Sequence, residues 1–292
     1  MSAAPTPSRS AHRPDLGAWL GVAPFFLFAA MFLIAPTASL LVGAFQDHEG
    51  AFTFANILRL RQPSILHSYW LSLQVSAASA FFGALIGLLL TLAVLRGGLP
   101  EWLRPTLMTF SGVASNFAGV PLAFAFMATL GRLGLATLLL KAAGVDLYAR
   151  GFNILTFWGL TVTYLYFQIP LMVLVVTPAV DGIKREWGEA AQTLGASQWQ
   201  YWRMIALPIL WPSILGAWLL LFANAFGAIA TAYALTGSSF NIAPILLYAQ
   251  IRGDVLHDPN LGYALALGML TITGVSNLAY LYLRARSDQR LR

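Results

Sequence analysis

The chain has 292 residues, 58% of them hydrophobic and only 10% charged, whereas a soluble protein of this size carries about a quarter charged residues. It has no cysteine, which excludes a disulfide framework, a thiolate nucleophile and a thiolate metal site. The net charge of +6 comes without a long basic run or a nucleic-acid-binding motif, so the composition puts the chain in the membrane class.

Residues 1–15 form a Pro/Ser/Arg tail with little apolar content, and it reads as disordered. The apolar run 16–45 is too long for the core of a signal peptide. It reads as a retained first span, bent near Pro24 or Pro36. A polar loop, 46–67, precedes the second span, 68–95, in which Gly83 and Gly87 make a small-xxx-small face for close helix packing. After a short loop comes the third span, 105–130. Gly131 to Asn153 is an external segment whose leucines 133, 135, 138 and 139 suggest a short interfacial helix. The fourth span is 154–180 and the fifth 208–235, the latter ended by Thr236-Gly237-Ser238-Ser239. Residues 243–251 are apolar but too short to cross about 30 Å of hydrocarbon, so they read as a re-entrant or surface helix. The sixth span is 261–283, with a basic tail behind it.

Between the fourth and fifth spans lies a polar interruption, 181–207. Glu189 to Leu194 is good helix material, and Gly195 is placed to close that helix with a positive φ. Ser197 and Gln200 match a capping box for a second helix, and Pro208 can open a further one at its first turn. The expected shape is helix, sharp glycine turn, helix.

Lysine and arginine counts orient the chain. With the N-terminus cytoplasmic, the inside segments hold eleven and the outside segments six. This bias puts both termini and the interruption 181–207 on the cytoplasmic side.

Several chemistries are missing. The only two lysines, Lys141 and Lys184, follow Leu140 and Ile183, so there is no phosphate-binding Gly-Lys-Ser/Thr loop. No serine stands in a Gly-x-Ser-x-Gly elbow. The histidines (His12, His48, His67, His257) fall in the tail and loops without metal spacing, and Asp254, His257 and Asp258 read as solvated loop groups. The spans hold no acid or base away from their ends. Their polar residues include Ser111, Ser115, Asn116, Gln168, Asn224, Thr231, Ser276 and Asn277. Such groups bond other helices, at about 0.6 kcal/mol each, or line a wet path. Asn116 and Asn224, which have small neighbours, are the best candidates for the path. Trp187, Trp199, Tyr201 and Trp202 cluster on the interruption and suit either the membrane interface or a docked partner.

Glu189-Ala190-Ala191, then three residues and Gly195, then nine residues and Ile205-x-Leu207-Pro208, resembles the signature loop of permease subunits of binding-protein-dependent ABC importers. The resemblance implies an all-α membrane protein of six transmembrane helices in the type I importer permease fold, the first span being an added N-terminal helix. It implies that Glu189, Ala190, Ala191 and Gly195 dock the loop 181–207 onto a separate ABC ATPase dimer. This chain would then be no enzyme and hold no cofactor, with ATP and Mg on the ATPase. The implied partners are a second, non-identical permease subunit and a periplasmic or lipid-anchored solute-binding protein, in a bacterial inner membrane. The layout and the stretch Asn116 to Phe126 resemble permeases of the polyamine, ferric-iron, thiamine and aminophosphonate group. Spermidine or putrescine is the expected substrate, with ferric iron, thiamine and aminophosphonate as alternatives. A stand-alone secondary transporter is the alternative of another class. Proton coupling in such a carrier usually needs a titratable group within the membrane.

Overall fold

The computed structural model describes residues 16–252 and 257–291. The tail 1–15, expected to be disordered, and Asp254 lie outside the described residues. Among those described, the chain is helical apart from turns and one isolated β-bridge, Gln46 to Phe52. Six helical stretches are long and apolar enough to cross a bilayer.

The first of them is α1 (Leu16–Ala29), a π-turn (Ala30–Ile34) and α2 (Ala35–Gly43) in unbroken succession. The π-turn lies immediately ahead of Pro36, with Ala35 N–H donating to Ala30 O. A proline has no N–H for the carbonyl four residues back and crowds it; one wider turn relieves both problems. Pro24 sits inside α1. Side chains such as Trp19, Phe25, Phe28 and Phe32 are exposed along this stretch. It meets the bundle at its end, where Gly43 lies flat against the Tyr263 ring.

After α3 (Ala55–Arg59), α4 (Pro63–Arg96) runs for 34 residues. Hydrocarbon removes the hydrophobic drive between helices, so close backbone approach must hold them together. Gly83 and Gly87 supply it: a Cβ on either would lie 2.6 Å from a Cβ of Gln168 or Met172, both on α8.

Next come α5 (Leu103–Ala114), α6 (Val120–Leu130), the short α7 (Leu135–Ala142) and α8 (Phe157–Asp181). The sequence reading made 105–130 one uninterrupted span, and the structure corrects it. The helix stops at Ala114 and restarts at Val120 after Gly119 turns at φ 77°, ψ −149°. Pro121 has no N–H for the Phe117 carbonyl, and only glycine takes Gly119's backbone angles cheaply. Length and apolarity alone would make Val120–Ala142 the third crossing, but the contacts favour α5 with α6. Arg104 meets Asp181, Met108 meets Thr177, and Phe117 and Phe126 meet Tyr166. The broken pair thus tracks α8 back along its length.

The chain continues through α9 (Arg185–Thr193), α10 (Gln198–Tyr201), a second π-turn (Trp202–Ala206) and α11 (Leu207–Phe226). Pro208 does not open a separate helix as expected. The helix begun at Gln198 runs on, and Leu207 N–H reaches back to Trp202 O ahead of the proline, just as happens before Pro36. The fifth span, read as 208–235, is also interrupted: α11 ends at Phe226, Gly227 and Ala228 intervene, and α12 (Ile229–Thr236) follows. Then come α13 (Ala243–Arg252) and α14 (Pro259–Leu291).

α11 packs on α4, α8 and α14. One core, with Met172, Val176, Ile183, Leu210 and Leu221, fills the half nearer α9. A second, with Leu122, Leu160, Tyr164, Phe167 and Ile242, fills the other half. Short α13 packs on α4, which carries the buried serines Ser68, Ser72, Ser76 and Ser79. Ser72 Oγ accepts the Ala243 N–H at 2.8 Å, so one helix caps the N-terminus of another.

Candidate functional site

The interruption 181–207 folds into a rigid elbow. Gly195 adopts φ 76°; its N–H donates to Gln192 O and the Ala196 N–H to Ala191 O, both at 2.9 Å. These two bonds form a Schellman close to α9. Across the corner, Gln200 N–H donates to Ser197 Oγ at 3.3 Å, and Ser197 N–H donates to Gln200 Oε1 at 2.8 Å. That reciprocal pair fixes the start of α10.

The elbow has an inner and an outer face. Ala191 is buried, and Trp187, Tyr201 and Trp202 pack on the core shared by α4, α8 and α11. Glu189, Ala190 and Gly195 are exposed, as are Leu194 at 87% and Trp199 at 72%. Of the four aromatic residues that suited interface or partner, three therefore serve the chain's own core and only Trp199 projects. Leu194, which the sequence reading passed over, is the most exposed apolar side chain of the elbow. Its position beside the helix-ending glycine was the available clue.

Two arginines join the root of the elbow to other helices. Arg96 Nη2, at the end of α4, donates to Val180 O at 2.8 Å and to Ile183 O at 2.7 Å. Arg104, at the start of α5, meets Asp181 at 2.6 Å, with both side chains near half exposed.

The second feature is the pair of mid-span breaks. Backbone polar groups freed within a bilayer need partners or water. Gly119 N–H, at the first break, donates to Thr231 Oγ1 on α12 at 2.7 Å. The Ala228 carbonyl, at the second, accepts the buried Tyr164 hydroxyl at 2.5 Å. Asn116 and Asn224 flank the two breaks on α5's exit and on α11, and both are exposed. Asn116 Nδ2 donates to Gly112 O at 2.9 Å, which leaves Oδ1 as its free acceptor. Gln168 is fully buried and bonds Leu221 O at 2.9 Å, while its Oε1 lacks a partner among the described residues. Gln168, Ser111 and Thr231 are thus interhelical or buried groups, set apart from the exposed asparagines.

Among the described residues, six apolar helical stretches, broken third and fifth crossings and one helix–glycine–helix elbow give the chain the fold of a type I ABC importer permease subunit. The comparisons agree. It aligns over 254 residues, at 25% identity, with the spermidine/putrescine transport system permease protein PotC of Escherichia coli (strain K12), covering 85% of this chain and 88% of that protein. With the putrescine transport system permease protein PotI of the same strain it is 28% identical over 283 residues, 91% and 92% of the two chains. The molybdenum transport system permease protein ModB of Mycobacterium tuberculosis is 27% identical over 218 residues, 73% of this chain and 77% of that one. Among solved structures, a bacterial alginate ABC transporter superposes with a TM-score of 0.67 at 18% identity, covering 95% and 96%. No family model matches the chain.

Proposed function

We propose that this chain forms half of a solute path in a bacterial inner membrane and takes its power from a separate ABC ATPase dimer docked on the outer face of the elbow. The observation that carries the reading is the elbow itself. Its inner face is fastened to the bundle, while Glu189, Ala190, Leu194 and Gly195 are left free on the outside. A docked ATPase that closes on ATP and Mg would push this lever and tilt the spans. The lysine and arginine bias supports placing the elbow and both termini in the cytoplasm. A second permease subunit, non-identical, completes the path, and a periplasmic or lipid-anchored binding protein delivers solute from the other side.

For the solute we infer a polyamine, spermidine or putrescine. PotC and PotI support this. So does the chemistry at the breaks, where Asn116 offers a carbonyl oxygen to an ammonium group once its own N–H groups are engaged. ModB supports a competing reading with a molybdenum-containing solute; the spans hold neither acid nor base away from their ends, so a polyamine would rest on amide and backbone oxygens or aromatic faces.

The test is co-purification and uptake. The ATPase should stay bound in detergent to the parent transporter and be lost with Glu189→Arg or Gly195→Asp. A non-glycine residue in the left-handed region costs about 1–2 kcal/mol, so insertion should survive. Proteoliposomes should then take up labelled spermidine or putrescine and ignore molybdate. Normal coupling in both variants would refute the docking role, and uptake of molybdate alone would refute the polyamine assignment.

A further inference from the structure

The first arm of the elbow, α9, leaves α8 through only three residues, Gly182 to Lys184, while the second arm runs on into α11. A lever on so short a link transmits a push only if its root is held against more than one helix. At this root Val180 O holds only turn bonds, from Gly182 N–H and, at 3.3 Å, from Ile183 N–H, Ile183 O lies just past the end of α8, and the C-terminal dipole of α8 presents negative charge to both. Arg96 meets both from one nitrogen, with bonds of 2.8 and 2.7 Å to the two carbonyls. It also stands at the end of α4, the helix that lies flush on α8 through Gly83 and Gly87. Arg96 also lines an open recess beside α9 and α10 together with Glu189, Gln192 and Tyr201. The other tie, Arg104 to Asp181, is a pair of side chains exposed at 53% and 41% and is screened by solvent; the Arg96 residue is exposed too, but its bonds end part-buried on two backbone carbonyls.

We propose that Arg96 is the positioning residue that locks the elbow to α4 and α8, so that a displacement of α9 moves both helices as one body. This role rests on the reading of α9 as the ATPase-docking element. It predicts a sharp difference between two arginines that sequence alone would treat alike: Arg96 carries the link and Arg104 does not. Both bonds come from a single charged nitrogen at the end of a long side chain, so a lysine ammonium can replace them, whereas the shorter, uncharged glutamine amide, although it too has two N–H donors, loses the reach and the charge-assisted strength.

The experiment uses the complete transporter in proteoliposomes. The chain has no cysteine, so Glu186→Cys on α9 and Leu89→Cys on α4, at two exposed positions apart from the docking residues, take spin labels without background from this subunit. The parent, Arg96→Lys and Arg104→Gln should give one narrow distance distribution between the labels, and Arg96→Gln a broadened one. In unlabelled transporter, Arg96→Gln should keep its ATPase bound and hydrolysing while solute uptake per ATP falls by roughly tenfold, the loss that about 1.4 kcal/mol produces, with Arg96→Lys restoring it. An unchanged distribution in Arg96→Gln, or equal broadening in Arg104→Gln, would overturn the role of Arg96. Broadening with an unchanged uptake-to-ATP ratio would leave Arg96 as the anchor but overturn α9 as the coupling element.

Discussion

Adding a single methyl group at Gly83 tests how this bundle is held. In Gly83→Ala the new Cβ would stand 2.6 Å from Gln168 Cβ, against the 3.5–4.0 Å at which carbon atoms attract. α4 and α8 must therefore separate by about 1 Å along their longest seam. Overpacking of this kind costs roughly 1–3 kcal/mol. The shift also strains the bond from Gln168 Nε2 to Leu221 O, and an interhelical bond in a membrane is worth about 0.6 kcal/mol and at most roughly 1.7. Alanine's higher helix propensity returns about 1 kcal/mol. The expected net destabilisation is roughly 1–3 kcal/mol. Gly274→Ala is the control, because a Cβ there meets nothing within 4 Å and propensity alone should make it neutral or stabilising. Reversible unfolding of the detergent-solubilised subunit in a denaturing-surfactant titration would measure both. If Gly83→Ala and Gly274→Ala shift the midpoint alike, glycine contact does not hold α4 to α8 and the packing argument fails.

Three further outcomes follow from single sites. Asp258 is partly buried, which raises its pKa, but the Leu261 N–H, the Arg59 guanidinium at 2.6 Å and the charge of His48 outweigh burial and hold the carboxyl below the usual carboxylate range. A depressed folded-state pKa adds stability above the unfolded value of about 3.9, which is lost as pH falls through the folded one; amide protection at Leu261 should drop there in the parent and be flat in Asp258→Asn. Ser197→Ala removes half of the capping box and should cost about 1 kcal/mol, read as faster amide exchange confined to α10. Thr231→Val leaves the Gly119 N–H without its acceptor, whereas Thr231→Ser keeps it. Valine should raise amide exchange at residues 115–120 while serine matches the parent, and equal exchange in the two would exclude the bond as a latch between the breaks.

The sequence displays some of these features and conceals others for physical reasons. The bilayer turns span finding into a test of apolar length, so the crossings stand out. The elbow is local chemistry: a positive-φ glycine at 195 and a serine three residues before a glutamine need no distant partner. The break at 115–119 also had a local sign, Gly119-Val120-Pro121, which the apolar count concealed. The break at Gly227-Ala228 had none beyond a lone glycine, because its freed carbonyl is satisfied by Tyr164, 64 residues earlier. Pro36 and Pro208 show the same limit. A missing N–H is tolerated either at a helix start or behind a π-turn, and the choice at Pro208 depended on whether the Ser197 cap had already begun a helix that could run on. Arg96 is the extreme case. In sequence it is one of two basic residues in a short loop, and it counts toward orientation as much as Arg104 does. Only its 84- and 87-residue reach to the end of α8 separates a residue that sets topology from one that joins the elbow to the bundle.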